Sequence, residues 1–168
     1  MPAPVTYRGM QLLVPDNDTE WMAFYAEARR HRLVVRKCQA CGLMRYPPTH
    51  ACPWCMDLGW TWQELSGQGT IHSYEVVMHA IQPGFKDATP YLVVLVELDE
   101  QRGQPTADEA LRIIANLVKP DLTFEKEENV AIGKRVNVVF QDLAEHLALP
   151  QFTLSDEPPQ GRVWRLGG

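Results

Sequence analysis

The sequence of 168 residues contains no apolar run that approaches the ~20 residues needed to span a bilayer. Residues 1–14 also lack the charged segment followed by an apolar segment that marks a secretory signal. These absences argue against membrane insertion and against secretion. We therefore expect a cytoplasmic protein whose cysteines stay reduced.

Positive charge is also scarce, because 16 Lys and Arg residues stand against 21 Asp and Glu residues and the net charge is −5. Binding to nucleic acid or to an anionic membrane needs a concentrated excess of Lys and Arg. The composition therefore argues against both kinds of partner. The apolar fraction of 45% is sufficient for a hydrophobic core, and the length suits one domain or a small domain with an appendage.

Sequence patterns of catalysis are missing as well. There is no G-x-S-x-G nucleophile elbow. The G-Q-G segment at 67–69 is not a dinucleotide-binding loop, since His72 stands where the third glycine would be and a strand is expected to follow. Paired carboxylates such as Glu97 and Asp99 are typical of solvated strand ends. The residues of this chain do not predict a complete enzyme.

All four cysteines lie in one window of eighteen residues, as two C-x-x-C pairs separated by ten residues. A gap of two residues lets a tight turn direct two thiolates at one point, and two such turns complete a closed tetrahedral site. We predict a structural Zn²⁺ ion at this site, with a rubredoxin-type iron site as the alternative. The predicted ligands are Cys38, Cys41, Cys52 and Cys55.

A metal held by four thiolates has no coordination position left for a catalytic water, so we do not expect it to be a reaction centre. Gly42 follows the first cysteine pair and tolerates the positive φ of a tight turn. Met56 follows the second pair, which predicts a less regular second turn. His50 is close to the third cysteine, but the four thiolates make it a surface residue instead of a ligand.

Four residues define one face of an amphipathic helix near the N-terminus, because they fall at positions i, i+3, i+4 and i+7. They are Trp21, Phe24, Tyr25 and Ala28. This face either packs on the core of the chain or docks on a partner subunit. The preceding residues, 1–15, show no periodicity and are expected to lie as an arm on another surface.

After residue 66 the composition changes to β-forming residues bounded by Gly, Pro and Asp. Five strands within about 85 residues are typical of a small closed barrel of the OB type. The predicted strands are 70–79, 91–98, 111–118, 135–140 and 149–154.

The fold class predicted from these patterns is mostly β, and we divide the chain into four segments. They are the arm and helix at 1–32, a zinc ribbon at 33–66, the barrel at 67–154 and a tail at 155–168.

The long connection between the first two barrel strands, residues 80–90, is the best candidate for a ligand contact, because it exceeds hairpin length. An exposed aromatic ring beside a cation could cover an apolar ligand that ends in a phosphate. A plain mobile loop is the alternative. The candidate contacts are His79, Phe85, Lys86 and Tyr91.

Several short motifs occur together in a specific order. They are Arg36-Lys37-Cys38-x-x-Cys41-Gly42, Tyr46-Pro47-Pro48, Cys52-Pro53-x-Cys55, Gly67-x-Gly69-Thr70, Pro90-Tyr91, Leu98-Asp99-Glu100 and Gly133-x-x-Val136. Over roughly residues 18–154, the chain resembles the zinc-ribbon and OB-fold family known as domain of unknown function thirty-five. The resemblance implies a helical hairpin or a helix at the N-terminus, a rubredoxin-like zinc ribbon and a C-terminal OB-fold barrel, here of five strands.

The resemblance also implies a role in acyl-CoA chemistry. Members of this family often act as small partners of thiolase-fold proteins, including the lipid-transfer-type aldolases that shorten steroid side chains by retro-aldol cleavage. The partner is then expected to carry the catalytic residues, while the small subunit shapes or closes the acyl-CoA site. The candidate partner contacts in this chain are Trp21, Phe24, Tyr25 and, in the tail, Trp164.

Two other functions stay open. The chain could be a stand-alone acyl-CoA binding module with its ligand in the barrel groove. It could also be a nucleic-acid-binding OB protein, which the net charge disfavours. The polar loop at 101–109 and the tail depart from the family pattern, so the sequence defines neither the specific partner nor the acyl-CoA.

Overall fold

The structure is a computed structural model that describes residues 4–14 and 19–165. Parts of the predicted arm (1–3 and 15) and of the predicted tail (166–168) lie outside the described residues. Within them, the chain forms one α-helix, α1 (Thr19–Arg29), and ten strands. The strands are β1 (Pro4–Tyr7), β2 (Met10–Leu13), β3 (Val34–Cys38), β4 (Met44–Arg45), β5 (Trp60–Glu64), β6 (Gln68–Val77), β7 (Tyr91–Leu98), β8 (Arg112–Asn116), β9 (Arg135–Ala144) and β10 (Leu147–Leu154).

The N-terminal arm is a β-hairpin of β1 and β2, which the absence of periodicity did not predict. Its two-residue turn is Arg8-Gly9, and both residues have positive φ, 49° and 74°. This is the backbone conformation that matches the twist of a tight hairpin. Val5 and Tyr7 of β1 are buried, so the hairpin lies on the rest of the chain.

Helix α1 packs its aromatic face on the chain itself. Phe24 and Ala28 are buried, and Trp21 and Tyr25 are partly buried against the same core. The helix ends in a Schellman motif, because His31 has φ +57° and the N–H of Arg32 donates to the carbonyl of Glu27 at 3.1 Å. The end of the helix is therefore fixed in position before the chain enters β3.

Strands β6 to β10 form an antiparallel sheet in the order β10-β9-β6-β7-β8. Its two edge strands meet in a parallel bridge between Leu117 and Phe152, where the N–H of Val118 donates to the Phe152 carbonyl at 2.8 Å. This bridge closes the sheet into a barrel. Alternate residues of β7, such as Val94 and Val96, are fully buried inside it. The predicted five-stranded C-terminal sheet and the mostly β fold class are confirmed.

Strand β9 is longer than predicted because its polar end is part of a hairpin with β10. Asp142 lies in this extension, and its carboxylate forms an ion pair with the Arg29 guanidinium at 3.0 Å. His31 stacks on Phe140 of the same strand with ring centroids 5.2 Å apart. The extension thus anchors the C-terminal end of α1.

The zinc ribbon is a second, three-stranded sheet in the order β4-β3-β5. One buried side chain connects it to the barrel. The Gln101 amide accepts a bond from the N–H of Met44 at 2.6 Å and donates one to the Met44 carbonyl at 2.9 Å. Gln101 therefore makes the two main-chain hydrogen bonds to β4 that a neighbouring strand would otherwise make. The boundaries of the four predicted segments stay predictions.

A buried ion pair connects β9 to the turn after β7. The guanidinium of Arg135, whose side chain is 2% exposed, donates from Nη1 to Asp99 Oδ1 at 2.8 Å and from Nη2 to Oδ2. These hydrogen bonds lower the pKa of Asp99 below its usual value. Asp99 is therefore not the solvated strand end that the sequence suggested.

We expect Asp99→Asn to destabilise the protein by roughly 2 kcal/mol at pH 7, because Arg135 loses its principal charged acceptor. Because the pKa of Asp99 is lower in the folded protein than in the unfolded chain, its ionised carboxylate stabilises the fold at pH values above the unfolded pKa of about 3.9. This stabilisation is lost as the pH falls through the pKa of the folded protein. The difference in the free energy of unfolding between the wild type and Asp99→Asn should therefore become smaller below about pH 4. Urea unfolding at a series of pH values measures this difference.

Asp156→Asn is the matched control, because Asp156 is exposed and the charge change is identical. It should leave the free energy of unfolding within about 0.5 kcal/mol of the wild type. An Asp99→Asn effect equal to that of the control, or independent of pH, would contradict the role of this pair.

Candidate metal centre and the grooves beside the barrel

The first cysteine pair lies on a tight turn at the end of β3. The N–H of Cys38 donates to the carbonyl of Leu43 at 2.9 Å, and the N–H of Gly42 donates to the carbonyl of Cys38 at 3.1 Å. Gly42 has φ +76°, the left-handed conformation that glycine adopts without strain. The turn places Cys38 in the buried sheet and Cys41 at the surface.

The second cysteine pair repeats this geometry. The N–H of Cys52 donates to the carbonyl of Asp57, and the N–H of Met56 donates to the carbonyl of Cys52, both at 2.9 Å. Met56 has φ +63° and occupies the position that Gly42 has in the first turn. The prediction of a less regular second turn is therefore wrong. Only the conformational strain differs, because Met56 carries a Cβ atom at a left-handed position.

The four sulfur atoms converge within 4.8 Å of one another. The Cys38 and Cys55 sulfurs are 3.5 Å apart, and the Cys41 and Cys52 sulfurs are 3.6 Å apart. A tetrahedral ion with metal–sulfur bonds of about 2.3 Å places its ligands about 3.8 Å apart. The arrangement therefore fits one tetrahedral ion, and soft thiolate ligands favour zinc or iron.

Backbone hydrogen bonds, desolvation and, to a smaller extent, the neighbouring thiols shift the pKa values of these cysteines when no metal is bound. The N–H of Cys41 is the largest influence on Cys38 and helps to lower its pKa to about 7. The N–H of Asp57 lowers the pKa of Cys55, but desolvation and the neighbouring thiols outweigh it and raise the pKa to about 12. The metal-free cluster therefore retains protons at neutral pH, and metal binding must displace them.

Two residues of the predicted ligand loop meet in an aromatic cluster. The ring of Phe85 lies 5.1 Å from that of Tyr91 and 5.8 Å from that of Tyr7. The Arg8 guanidinium lies 5.2 Å from the centroid of Phe85 and 5.0 Å from that of Phe124. Phe85 is thus half-buried by the N-terminal hairpin, a contact that the sequence analysis missed because the partners are distant in sequence.

The other two candidates in this loop do not join the cluster. His79 follows the end of β6, Lys86 lies in a 3₁₀ turn at Pro83–Ala88, and both side chains are exposed. Met78 and Ile81, which flank His79, are 70% and 86% exposed. The loop therefore presents apolar and cationic side chains to solvent while its Phe85 anchors it. Whether these residues contact a ligand stays a prediction.

The predicted partner contacts fall into two places. Trp21, Phe24 and Tyr25 form a cluster with Tyr46, in which the ring of Trp21 lies 5.8 Å from that of Tyr46. Trp164 pairs with Ile132 through two backbone hydrogen bonds of 2.8 and 3.0 Å, while its side chain stays 42% exposed. The tail thus lies on the barrel of its own chain at this point, and the partner contacts stay predictions.

Two grooves border strand β8. The first, about 290 Å³, lies between β8 and β10 under the helix and has Tyr25, Ile114 and Pro150 in its walls. The second, about 420 Å³, lies between the ribbon and the barrel and has Arg45 and Trp54 in its walls. Tyr46 lines both grooves. No helix in the described part of the chain is long and apolar enough to cross a membrane.

A four-cysteine ribbon followed by a five-stranded closed barrel defines a zinc-ribbon and OB-fold protein. Comparison with known families agrees. Residues 26–57 match the family described as the rubredoxin-like zinc ribbon domain of ChsH2. Residues 62–141 match the family described as the C-terminal OB-fold domain of ChsH2. The zinc-ribbon family and the geometry of the four cysteines together assign a structural zinc.

The chain belongs to the DUF35 family. It is 34% identical over 119 residues to a DUF35 domain-containing scaffold protein of Methanothermobacter thermautotrophicus, covering 70% of this chain and 77% of that protein. It is 30% identical over 117 residues to the scaffold protein of the same description from Methanocaldococcus jannaschii, covering 69% and 72%. The predicted family is confirmed.

Another relative is a probable enoyl-CoA hydratase alpha subunit of Thermomonospora curvata, with 35% identity over 133 residues. The alignment covers 77% of this chain but only 36% of that relative, so the chain spans about a third of it.

Two solved structures share the fold. A chain of an Ltp2-ChsH2(DUF35) aldolase superposes with a TM-score of 0.66 at 30% identity, and 84% of this chain covers 98% of that one. A DUF35 protein of unknown function from Sulfolobus solfataricus superposes with a TM-score of 0.55 at 15% identity, covering 82% and 87%.

We expect the purified protein to contain one zinc ion per chain, and Cys52→Ser to lose nearly all of it, because Cys52 is fully buried among the ligands. Elemental analysis by mass spectrometry measures this directly, and a visible absorption band would reveal iron. His50→Ala is the control and should keep its zinc. Equal zinc in the Cys52→Ser variant would contradict the assignment.

We expect Met56→Gly to stabilise the zinc-loaded protein by about 1 kcal/mol, because it removes a Cβ atom from a left-handed position. Gly42→Ala is the reciprocal change and should destabilise by a similar amount, since a Cβ there meets nothing within 4 Å and only the backbone term changes. Thermal unfolding measures both. Destabilisation by Met56→Gly would show that its side chain outweighs the strain.

Proposed function

We propose that this protein is a non-catalytic subunit that binds and completes a thiolase-fold enzyme, an aldolase or a thiolase that acts on acyl-CoA. The observation that carries the proposal is the similarity to the DUF35 chain of the Ltp2-ChsH2(DUF35) aldolase, which extends over 98% of that chain. The name scaffold protein, given to two further relatives, supports a role in assembly.

The chemistry of the chain supports the same role. Four sulfur ligands saturate the zinc, so the metal offers no position for substrate or water. Apart from the exposed Asp121, whose carboxylate accepts hydrogen bonds from Thr123, the described titratable groups with resolved pKa shifts are the metal-site thiols, structural ion pairs or buried tyrosines. The catalytic residues therefore belong to the partner.

The loop at 80–90 is the part of this chain that we assign to the acyl-CoA site. Its aromatic cluster anchors it to the hairpin, and the exposed His79 and Lys86 can face the phosphates of a CoA moiety. Ile81, the most exposed large apolar side chain described, suits contact with the partner or the acyl chain. The name of the Thermomonospora curvata relative is consistent with CoA chemistry.

The retro-aldol cleavage of a steroid side chain is the reaction we favour for the complex, and the cytoplasm its compartment. All four cysteines are assigned to the metal and none forms a disulfide, which is consistent with a reducing compartment. A stand-alone acyl-CoA binding module is the second candidate, because the grooves of about 290 and 420 Å³ have apolar walls.

We expect the chain to form a stable complex with a thiolase-fold protein from the same organism, with a Kd below about 1 μM, and any such protein encoded beside its gene is the first to test. Co-expression followed by size-exclusion chromatography with light scattering measures the assembly. Addition of this chain to the partner should raise cleavage of a steroid acyl-CoA.

Calorimetry of the isolated chain with the same acyl-CoA separates the two candidates. Heat without a partner supports the stand-alone module, whereas binding that requires the partner supports the subunit. A chain that stays monomeric with every such neighbour and leaves its activity unchanged would refute the subunit.

A further inference from the structure

Three arginines are buried in the described chain, and one of them differs from the others. Arg36 pairs with Glu20 at 2.7 Å, and Arg135 pairs with Asp99 and Glu157. Arg45, which is 2% exposed, pairs with no carboxylate in residues 4–14 and 19–165. It donates only to the main-chain carbonyls of Thr49 and His50, at 3.0 and 3.2 Å.

The hydrogen bonds of Arg45 are also incomplete. Its Nη1 atom is buried and has no acceptor in the described structure. A buried guanidinium without a counter-charge is unfavourable, because two neutral carbonyls do not replace the water it has lost. Such a group is stabilised when a carboxylate binds, and a carboxylate matches the fork of the guanidinium better than other groups do.

Arg45 lies in the wall of the groove between ribbon and barrel. The half-buried ring of Trp54 and the side chain of Leu95 supply apolar surface beside it. Glu109 is the one acidic residue in this wall, and its carboxylate already accepts a bond from the Thr106 hydroxyl at 3.0 Å. Arg112 also lines this wall, but its guanidinium pairs with Glu97 at 3.2 Å. The groove therefore combines an unpaired buried cation with largely apolar walls.

The neighbouring edge of β8 has unpaired main-chain groups. The main-chain groups of Leu111 and Leu117 form hydrogen bonds to the β7 side. In an antiparallel pair every second residue forms such bonds, so the main-chain groups of Arg112, Ile114 and Asn116 point away from β7. The Asn116 N–H is satisfied by the Gln151 side chain at 3.0 Å. The bridge that closes the barrel lies at Leu117, beyond the end of β8, so Arg112 and Ile114 face a part of this edge that has no paired strand in the described sheet.

Ile114 supplies a third feature on this edge. Its side chain is 60% exposed and lines the groove beneath α1. An extended peptide can pair with the backbone at Arg112 and Ile114 and place alternate side chains in the adjoining grooves. A free anion can satisfy Arg45 but not these main-chain groups, so a protein segment fits the observations better than a small molecule.

We propose that the partner enzyme inserts an extended acidic segment along the edge of β8, with an Asp or Glu carboxylate bound to Arg45 and an apolar side chain packed on Ile114. The inference rests on the proposed function, because it identifies the surface through which the subunit binds its partner. It assigns to Arg45 a role in binding, which the other two buried arginines do not have.

Arg45→Gln should weaken binding to the thiolase-fold partner at least about tenfold, the loss expected for one buried charge-assisted contact. Arg45→Lys should recover only part of the affinity, since an ammonium cannot make the bidentate contact. The control is Arg30→Gln, because the Arg30 side chain is 67% exposed and the charge change is the same. Zinc content and thermal unfolding show that each variant is folded.

A photocrosslinking amino acid at position 114 gives a readout that does not depend on replacing a buried residue. It should capture one partner segment containing Asp or Glu, while the same amino acid at Val163, which is 42% exposed, should not. Changing that acid to its amide should weaken binding as much as Arg45→Gln does. The two changes together should weaken it no further than either one alone.

The outcomes separate the two proposals. If the wild-type chain does not bind the partner, the subunit function fails. If it binds and Arg45→Gln binds equally well, or position 114 crosslinks to a second copy of this chain or to a segment without an acid, the function stands and this surface is wrong.

Discussion

The convergence of four thiolates on one ion is the interaction on which the rest of the ribbon depends. Its strands are short, and β4 contains only two residues. Val35 and Met44 of these strands join the core of the barrel, but the residues around the two cysteine pairs are mostly exposed, so the metal must hold these turns together. The two turns around the ion fix where the chain leaves β3 and where it begins β5 at Trp60.

Polar contacts connect the ribbon to the barrel and to α1. Gln101 holds both main-chain groups of Met44 from the barrel side. Arg36 connects the ribbon to α1 through Glu20, and its guanidinium lies 3.9 Å from the centroid of the Trp60 ring. The groove that contains Arg45 has one wall from each unit, so its shape depends on the metal although no groove residue is a ligand.

Much of this architecture follows from local sequence. The spacing of the cysteines predicts the metal, because the geometry of a two-residue gap is the same in any chain. A run rich in Val and Leu predicts β7, and the structure shows that residues 92, 94, 96 and 98 point into the barrel. The face of α1 follows from its helical period. These features need no knowledge of what the segment packs against.

The features that were not predicted depend on partners that are distant in sequence. Phe85 was expected to be an exposed ring that could cover a ligand, yet it lies against Tyr7 of the N-terminal hairpin. The sequence feature that marks this hairpin is a single two-residue turn. Glu97 and Asp99 looked like solvated charges, but their partners Arg112 and Arg135 come from other strands. Gln101 belongs to a segment that reads as a polar loop, and its burial depends on a strand 57 residues away.

The same reasoning supports the proposed role of this chain as a subunit. Buried charges in this fold are paired within the chain wherever they connect two of its own elements, as Arg36 and Arg135 show. An unpaired buried charge is costly to keep, so its position indicates where another molecule completes the structure. Arg45 lies where the ribbon meets the open edge of β8, and the exposed apolar residues Met78 and Ile81 lie on a loop that the barrel does not cover. A chain that leaves both kinds of surface unsatisfied, while its metal is saturated by its own sulfur, is organised to position another protein.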